Sequence, residues 1–172
     1  ADPIGQARAS IPAESGQHWV MPDDLFELRS PLCVVGNLNR DIKLAGVPAS
    51  PAIFEDGETS TNGVVETIGG GGANSACAAS ALGAVARFVG KVGTDALAER
   101  LQQTLVNFGV QTFLKKDPTC ATGTTIALGF NSGHRHFLSH LPNNESLRFE
   151  DLDLSALDGC AHLLRADVWF SQ

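Results

Sequence analysis

Four consecutive glycines, Gly69-Gly70-Gly71-Gly72, run directly into Ala73-Asn74-Ser75-Ala76-Cys77-Ala78-Ala79-Ser80-Ala81-Leu82-Gly83. A turn without Cβ atoms can take φ > 0 and lets a ligand approach the backbone N–H groups closely. The alanine-rich run has high helix propensity, and Asn74 or Ser75 is placed to cap it. The glycines therefore read as the mouth of a helix whose first N–H groups face whatever the turn admits. A flexible linker is the competing reading. Against it stand the compact apolar helix and then Ala84-Val85-Ala86-Arg87-Phe88-Val89-Gly90, the pattern of a buried strand.

The 172 residues suffice for one domain with a real core. A net charge of −7 argues against nucleic acid or an anionic membrane surface as partner. No apolar run approaches the ~20 residues of a membrane helix, and no basic-then-apolar leader opens the sequence, so a cytoplasmic location is expected. Cys33, Cys77, Cys120 and Cys160 lie far apart without ligand spacing, which favours reduced thiols over disulfides or zinc.

Residues 1–30 are small, polar and proline-containing with little periodicity and read as an N-terminal extension, its later part (Trp19, Leu25, Phe26, Leu28) packing on the body. Pro31-Leu32-Cys33-Val34-Val35-Gly36 marks a strand buried on both faces in a parallel sheet. Directly after it comes Asn37-Leu38-Asn39-Arg40-Asp41, with Asn39 and Asp41 as candidates. Polar residues beyond the C-terminal end of such a strand are where open α/β sheets place ligand contacts; equally, Asn and Asp serve as turn residues bonding their own backbone. Between Ile42 and Ile68, short alternating segments with Pro48, Pro51 and the turn Glu55-Asp56-Gly57 read as half-exposed strands over the sheet edge: a lid, a dimer surface or a plain excursion.

Thr94 is a suitable N-cap for a helix from about Asp95 to Phe108. Leu97, Leu101 and Leu105 form its apolar stripe, with Val106 and Phe108 widening it. Val110–Leu114 reads as a strand, Thr124–Phe130 and His136–Ser139 as a hairpin, and Ala161–Leu164 as a further strand. His134, His136 and His140 lack a carboxylate or cysteine partner at ligand spacing, so no metal is expected. The alternation of strands and helices implies an α/β fold with a parallel sheet.

Several site classes fail on spacing. Gly90-Lys91 is followed by Val92, and Val85 stands where a phosphate-binding Walker loop needs its first glycine. The dinucleotide fingerprint needs its glycines directly after the first strand, and no Gly-x-Ser-x-Gly elbow is present.

Together these residues resemble the ribokinase-like (PfkB) carbohydrate kinase family. The first family motif is similar to Gly69–Ala76, followed by Gly83 after six intervening residues and Gly93 after nine more. Gly36–Asp41, Gly57-Glu58-Thr59, Gly93-Thr94-Asp95, Thr122-Gly123 and Gly133-His134-Arg135 fall in the family's order, so the resemblance covers Leu32 to the C-terminus. It implies a Rossmann-like ribokinase fold: a mainly parallel sheet flanked by helices, with a small β lid, here within 42–68 and 122–139, that often dimerises. It also implies ATP-dependent phosphorylation, with Mg2+, of a sugar or nucleoside hydroxyl. Asp41 would accept bonds from sugar hydroxyls and Asn39 would support it. Gly69, Gly70, Gly71, Gly72 and the Asn74 amide would hold the sugar along the turn.

The departures are Gly71 in place of a lysine, Ala98 in place of a glycine, and Pro142-Asn143-Asn144 where Gly-Ala-Asn is common. The family's second motif, with its catalytic Asp and anion-stabilising glycine turn, is not among these residues. The expectation is therefore the N-terminal part of a kinase about twice this length, inactive alone because transfer of a phosphoryl group depends on positioning and charge stabilisation. A non-catalytic sugar-binding or dimerisation module is the alternative.

Overall fold

The computed structural model describes residues 30–167. The expected extension, with Trp19, Leu25, Phe26 and Leu28, and the apolar end Val168–Gln172 lie outside them. Two four-stranded sheets organise the described chain. The first is parallel throughout, in the order β5(Gln111–Lys116), β4(Ala86–Val92), β1(Leu32–Val35), β8(His162–Arg165). The second places β3(Gly63–Gly69), β2(Asn39–Val47), β6(Gly123–Phe130) and β7(Arg135–His140) side by side. In it two antiparallel pairs, β2–β3 and β6–β7, are joined by the parallel pair β2–β6.

The central strands of the first sheet are largely buried on both faces: β1 is apolar throughout, while β4 presents Ala86, Phe88 and Val92 to one side and Val89, flanked by Arg87 and Lys91, to the other. Val34 and Phe88 pack on one face with α1(Gly71–Ala81) and α2(Ala96–Asn107), through Ala73, Ala76, Cys77, Ala98, Leu101 and Leu105. Cys33 and Val89 face the other way, onto Ala156 and Leu152. The small side chains of α1 let it lie close to β1: a Cβ on Gly36 would sit 2.9 Å from the Gly72 Cα. All four cysteines are free thiols. No described helix is long and apolar enough to cross a membrane.

Several local expectations are corrected. Helix α1 starts at Gly71 with Gly70 as its N-cap, not at Asn74 or Ser75. Asp95, not Thr94, caps α2, its side chain accepting from the Ala98 N–H at 2.9 Å. Val106 and Phe108 are about half exposed and do not widen the α2 stripe. Asn39 and Asp41 are not turn residues trailing β1 but open strand β2. The acidic stretch after Leu147 forms two short 3-10 turns, Phe149–Asp151 and Leu154–Leu157.

Candidate functional site

The two sheets meet at the short link Gly36-Asn37-Leu38 between β1 and β2, and the glycine turn between β3 and α1 lies against the same link. The link is held rigidly. Asn143 and Asn144, on the short helix α3(Pro142–Glu145), are buried, and both bond to Leu38. Asn143 Nδ2 donates to the Leu38 carbonyl at 3.1 Å and to the Lys91 carbonyl at 2.6 Å, while Asn144 Oδ1 accepts from the Leu38 N–H at 3.3 Å. Buried amides that bond backbone on two elements fix their separation.

Pairing of β2 with β3 sets Asn39 opposite Gly69 and Asp41 opposite Thr67. Asn39, buried, donates from Nδ2 to Asp41 Oδ1 at 2.8 Å. The carboxylate then lies over Gly69 so closely that a Cβ at this position would overlap it. Gly70 has φ +95°, where an L side chain is strained, and packs on the Asn37 carbonyl. Sequence-predicted Asn39, Asp41, Gly69 and Gly70 thus converge on one bend.

One register row across the second sheet reads Thr67, Asp41, Thr125, Ser139. The Thr125 and Ser139 hydroxyls are 3.0 Å apart, and Thr67 Oγ1 is buried with no described partner. Burial drives the Asp41 carboxyl above its usual range, against the Lys43 charge and the Asn39 hydrogen bond, which pull it down.

The remaining predicted residues are arranged differently. Asn74 is exposed on the first turn of α1. The N–H groups of Gly71 and Gly72 are already donated to the carboxylate of Asp167, at 3.1 and 2.7 Å, and that of Ala73 to the Asn37 carbonyl at 3.1 Å. A ligand at Gly71 or Gly72 must share or displace Asp167. Sequence reasoning missed Asp167, Thr67, Thr125, Ser139 and the bonding role of Asn143 and Asn144. A usable signal existed for Asp167, a lone acid just past an apolar strand, the position singled out beyond β1. An apolar groove of about 430 Å3, lined by Pro51, Phe54, Phe130 and His134 among others, sits elsewhere on the second sheet, and none of these site residues lines it. Among the described residues no three His, Cys, Asp or Glu side chains gather as a metal site.

The family model described as pfkB family carbohydrate kinase matches residues 30–166, a span that contains both sheets and the bend. The chain belongs to the pfkB family of carbohydrate kinases. Its fold is the ribokinase fold that these relatives share. A fructokinase from Escherichia coli is 34% identical over 87 residues, which is 50% of this chain and 28% of that protein. The crystal structure of a ribokinase from Cryptococcus neoformans var. grubii in complex with ADP superposes with a TM-score of 0.63 at 25% identity, over 79% of this chain and 42% of the other. A fructokinase from Xylella fastidiosa with bound ATP superposes with a TM-score of 0.62 at 20% identity, over 79% and 41%. The chain thus spans less than half the length of the relatives it matches.

Proposed function

We propose that the complete protein is an ATP-dependent kinase of a sugar or nucleoside hydroxyl, and that residues 30–167 carry its acceptor side as the N-terminal part of the domain. The observation that carries this is the Asp41 carboxylate, held by Asn39 at 2.8 Å and laid over Gly69 at the helix-entry bend. A partly buried carboxylate with free lone pairs accepts two hydroxyl O–H donors, and an acceptor lacking them leaves it desolvated and unpaired. The Thr67 and Thr125 side chains share the register row of Asp41 and extend the polar floor.

ATP binding by the relatives supports ATP as the donor. Following the family resemblance, ATP, Mg2+, the catalytic Asp and the anion-stabilising turn are assigned to the rest of the complete protein. Exposed Val64, Val65, Phe137 and Leu138 on the second sheet support its reading as a lid that pairs with a second copy.

The test is ADP release by the complete protein with ATP, Mg2+ and a panel of monosaccharides and nucleosides, beside the 172-residue chain alone. Turnover by the complete protein only is expected. Turnover by the 172-residue chain would refute the division of the site. Saturable sugar binding without any turnover by the complete protein would refute the kinase and leave a binding module.

A further inference from the structure

The chain spends its own carboxylate on the place where a glycine-rich helix entry would otherwise receive an anion. Asp167 Oδ2 accepts the N–H groups of Gly72 at 2.7 Å and Asn37 at 3.0 Å, and Oδ1 accepts that of Gly71 at 3.1 Å. Three backbone donors from two separate elements therefore converge on one side chain. Asp167 is also the one non-glycine with positive φ among the described residues, at 57°. Its backbone is set by the preceding residue, whose N–H bonds the Val35 carbonyl at 2.8 Å.

We propose that Asp167 makes this bend an acceptor site for neutral polyhydroxyl compounds and closes it to their phosphorylated counterparts. The inference rests on the kinase reading above and names the class of acceptor within it. Two carboxylates bracket the bend: Asp41 lies over Gly69, and Asp167 lies against Gly71. An incoming phosphate faces both, and reaches the Gly71 and Gly72 N–H groups only by expelling Asp167 from its three donors. Like charges brought together across a binding surface are a strong device against the wrong partner. A hydroxyl does neither, because it donates to the lone pairs that the two carboxylates still offer. Lys43, exposed two residues beyond Asp41 on β2, is the cation acting on Asp41.

The experiment is calorimetric titration of the complete protein, without nucleotide, with neutral monosaccharides including D-ribose and D-fructose, and with the phosphate ester of each. The parent protein is expected to bind a neutral sugar at least about tenfold more tightly than its ester. Asp167→Asn, which keeps the shape and one acceptor but removes the charge, should narrow that ratio by about tenfold, whereas purely structural damage would weaken both ligands in parallel. Should Asp167→Asn fail to fold, salt decides: raising it from about 0.05 to about 0.5 M should shrink the ratio in the parent protein. A ratio near one, a ratio unmoved by Asp167→Asn, or, with that variant unfolded, a ratio unmoved by salt overturns this proposal and leaves the kinase reading standing. Failure to bind any sugar, together with no ATP-dependent turnover, overturns both.

Discussion

Asp41 is held in an environment that disfavours its charge, and its proposed task requires that charge. Burial raises its carboxyl above the usual range even with Lys43 and Asn39 opposing, so ionised Asp41 is a standing cost to the folded state. A carboxyl whose folded pKa exceeds its unfolded one lowers stability as pH rises past the unfolded value of about 3.9, so ligand-free Asp41→Asn should melt no lower than the parent at pH 7. The same substitution should raise the KM of the sugar about 100-fold or more while moving the KM of ATP less than about twofold, read by steady-state kinetics of the complete protein. Since only the carboxylate accepts two hydroxyls, the acid limb of sugar kcat/KM should lie above about pH 3.9 and vanish in Asp41→Asn. Gly69 was singled out in the sequence by the glycine motif, and Asp41 by its place among polar residues beyond the first apolar strand. Asp167 carried the same positional signal, an acid just past an apolar strand, but no motif drew attention to it.

At the scale of elements, the joints are made by side chains that cap one element while bonding another. Asp95 accepts the Ala98 N–H at the start of α2 through Oδ1 and the Thr122 N–H at the start of β6 through Oδ2, at 2.9 and 2.8 Å. Thr122 answers by accepting the Gly93 N–H at 3.0 Å. The Gly93-Thr94-Asp95 and Thr122-Gly123 motifs, separate in the sequence, are therefore two halves of one joint. Burial works to raise the Asp95 carboxyl, but the Thr122 and Ala98 N–H groups outweigh it and hold it low. Its contribution is thus present above the unfolded pKa of about 3.9 and is lost as pH falls toward the folded value. Asp95→Ala should cost about 2 kcal/mol in urea unfolding at pH 7, a lost cap plus an orphaned Thr122 N–H, and the difference from the parent should shrink below about pH 4. Strand and helix identities followed from local periodicity, as in the Leu101 and Leu105 stripe of α2. The start of α1 did not, because its cap comes from Asp167, 95 positions away, and a distant cap draws the glycines themselves into the first helical turn.

Over the whole molecule, Lys91 at the end of β4 gathers segments far apart in the chain. Its Nζ lies 2.9 Å from Asp117, 3.0 Å from Asp151 and 3.0 Å from the Ser146 carbonyl. Removing one partner of a buried pair leaves charge uncompensated. Because both carboxylates here retain some water, Lys91→Met should cost about 2–3 kcal/mol, measured by urea unfolding, rather than more. The parallel sheet was legible from its continuous apolar strands. The second sheet's order was not, since alternation gives the faces of β2 and β6 but says nothing about which strands pair. That order bears on how the chain assembles. Each of its antiparallel hairpins is local, yet they are sewn together by β2 and β6, where Arg40 and Thr124 stand 84 positions apart. Closing so long a loop is entropically slow compared with stacking β4, α2 and β5, which succeed one another along the chain. Pulse-labelled amide exchange during refolding should therefore find β4 and β5 protected before β2 and β6. Simultaneous protection would mean that the second sheet is not the last part of the protein to acquire its shape.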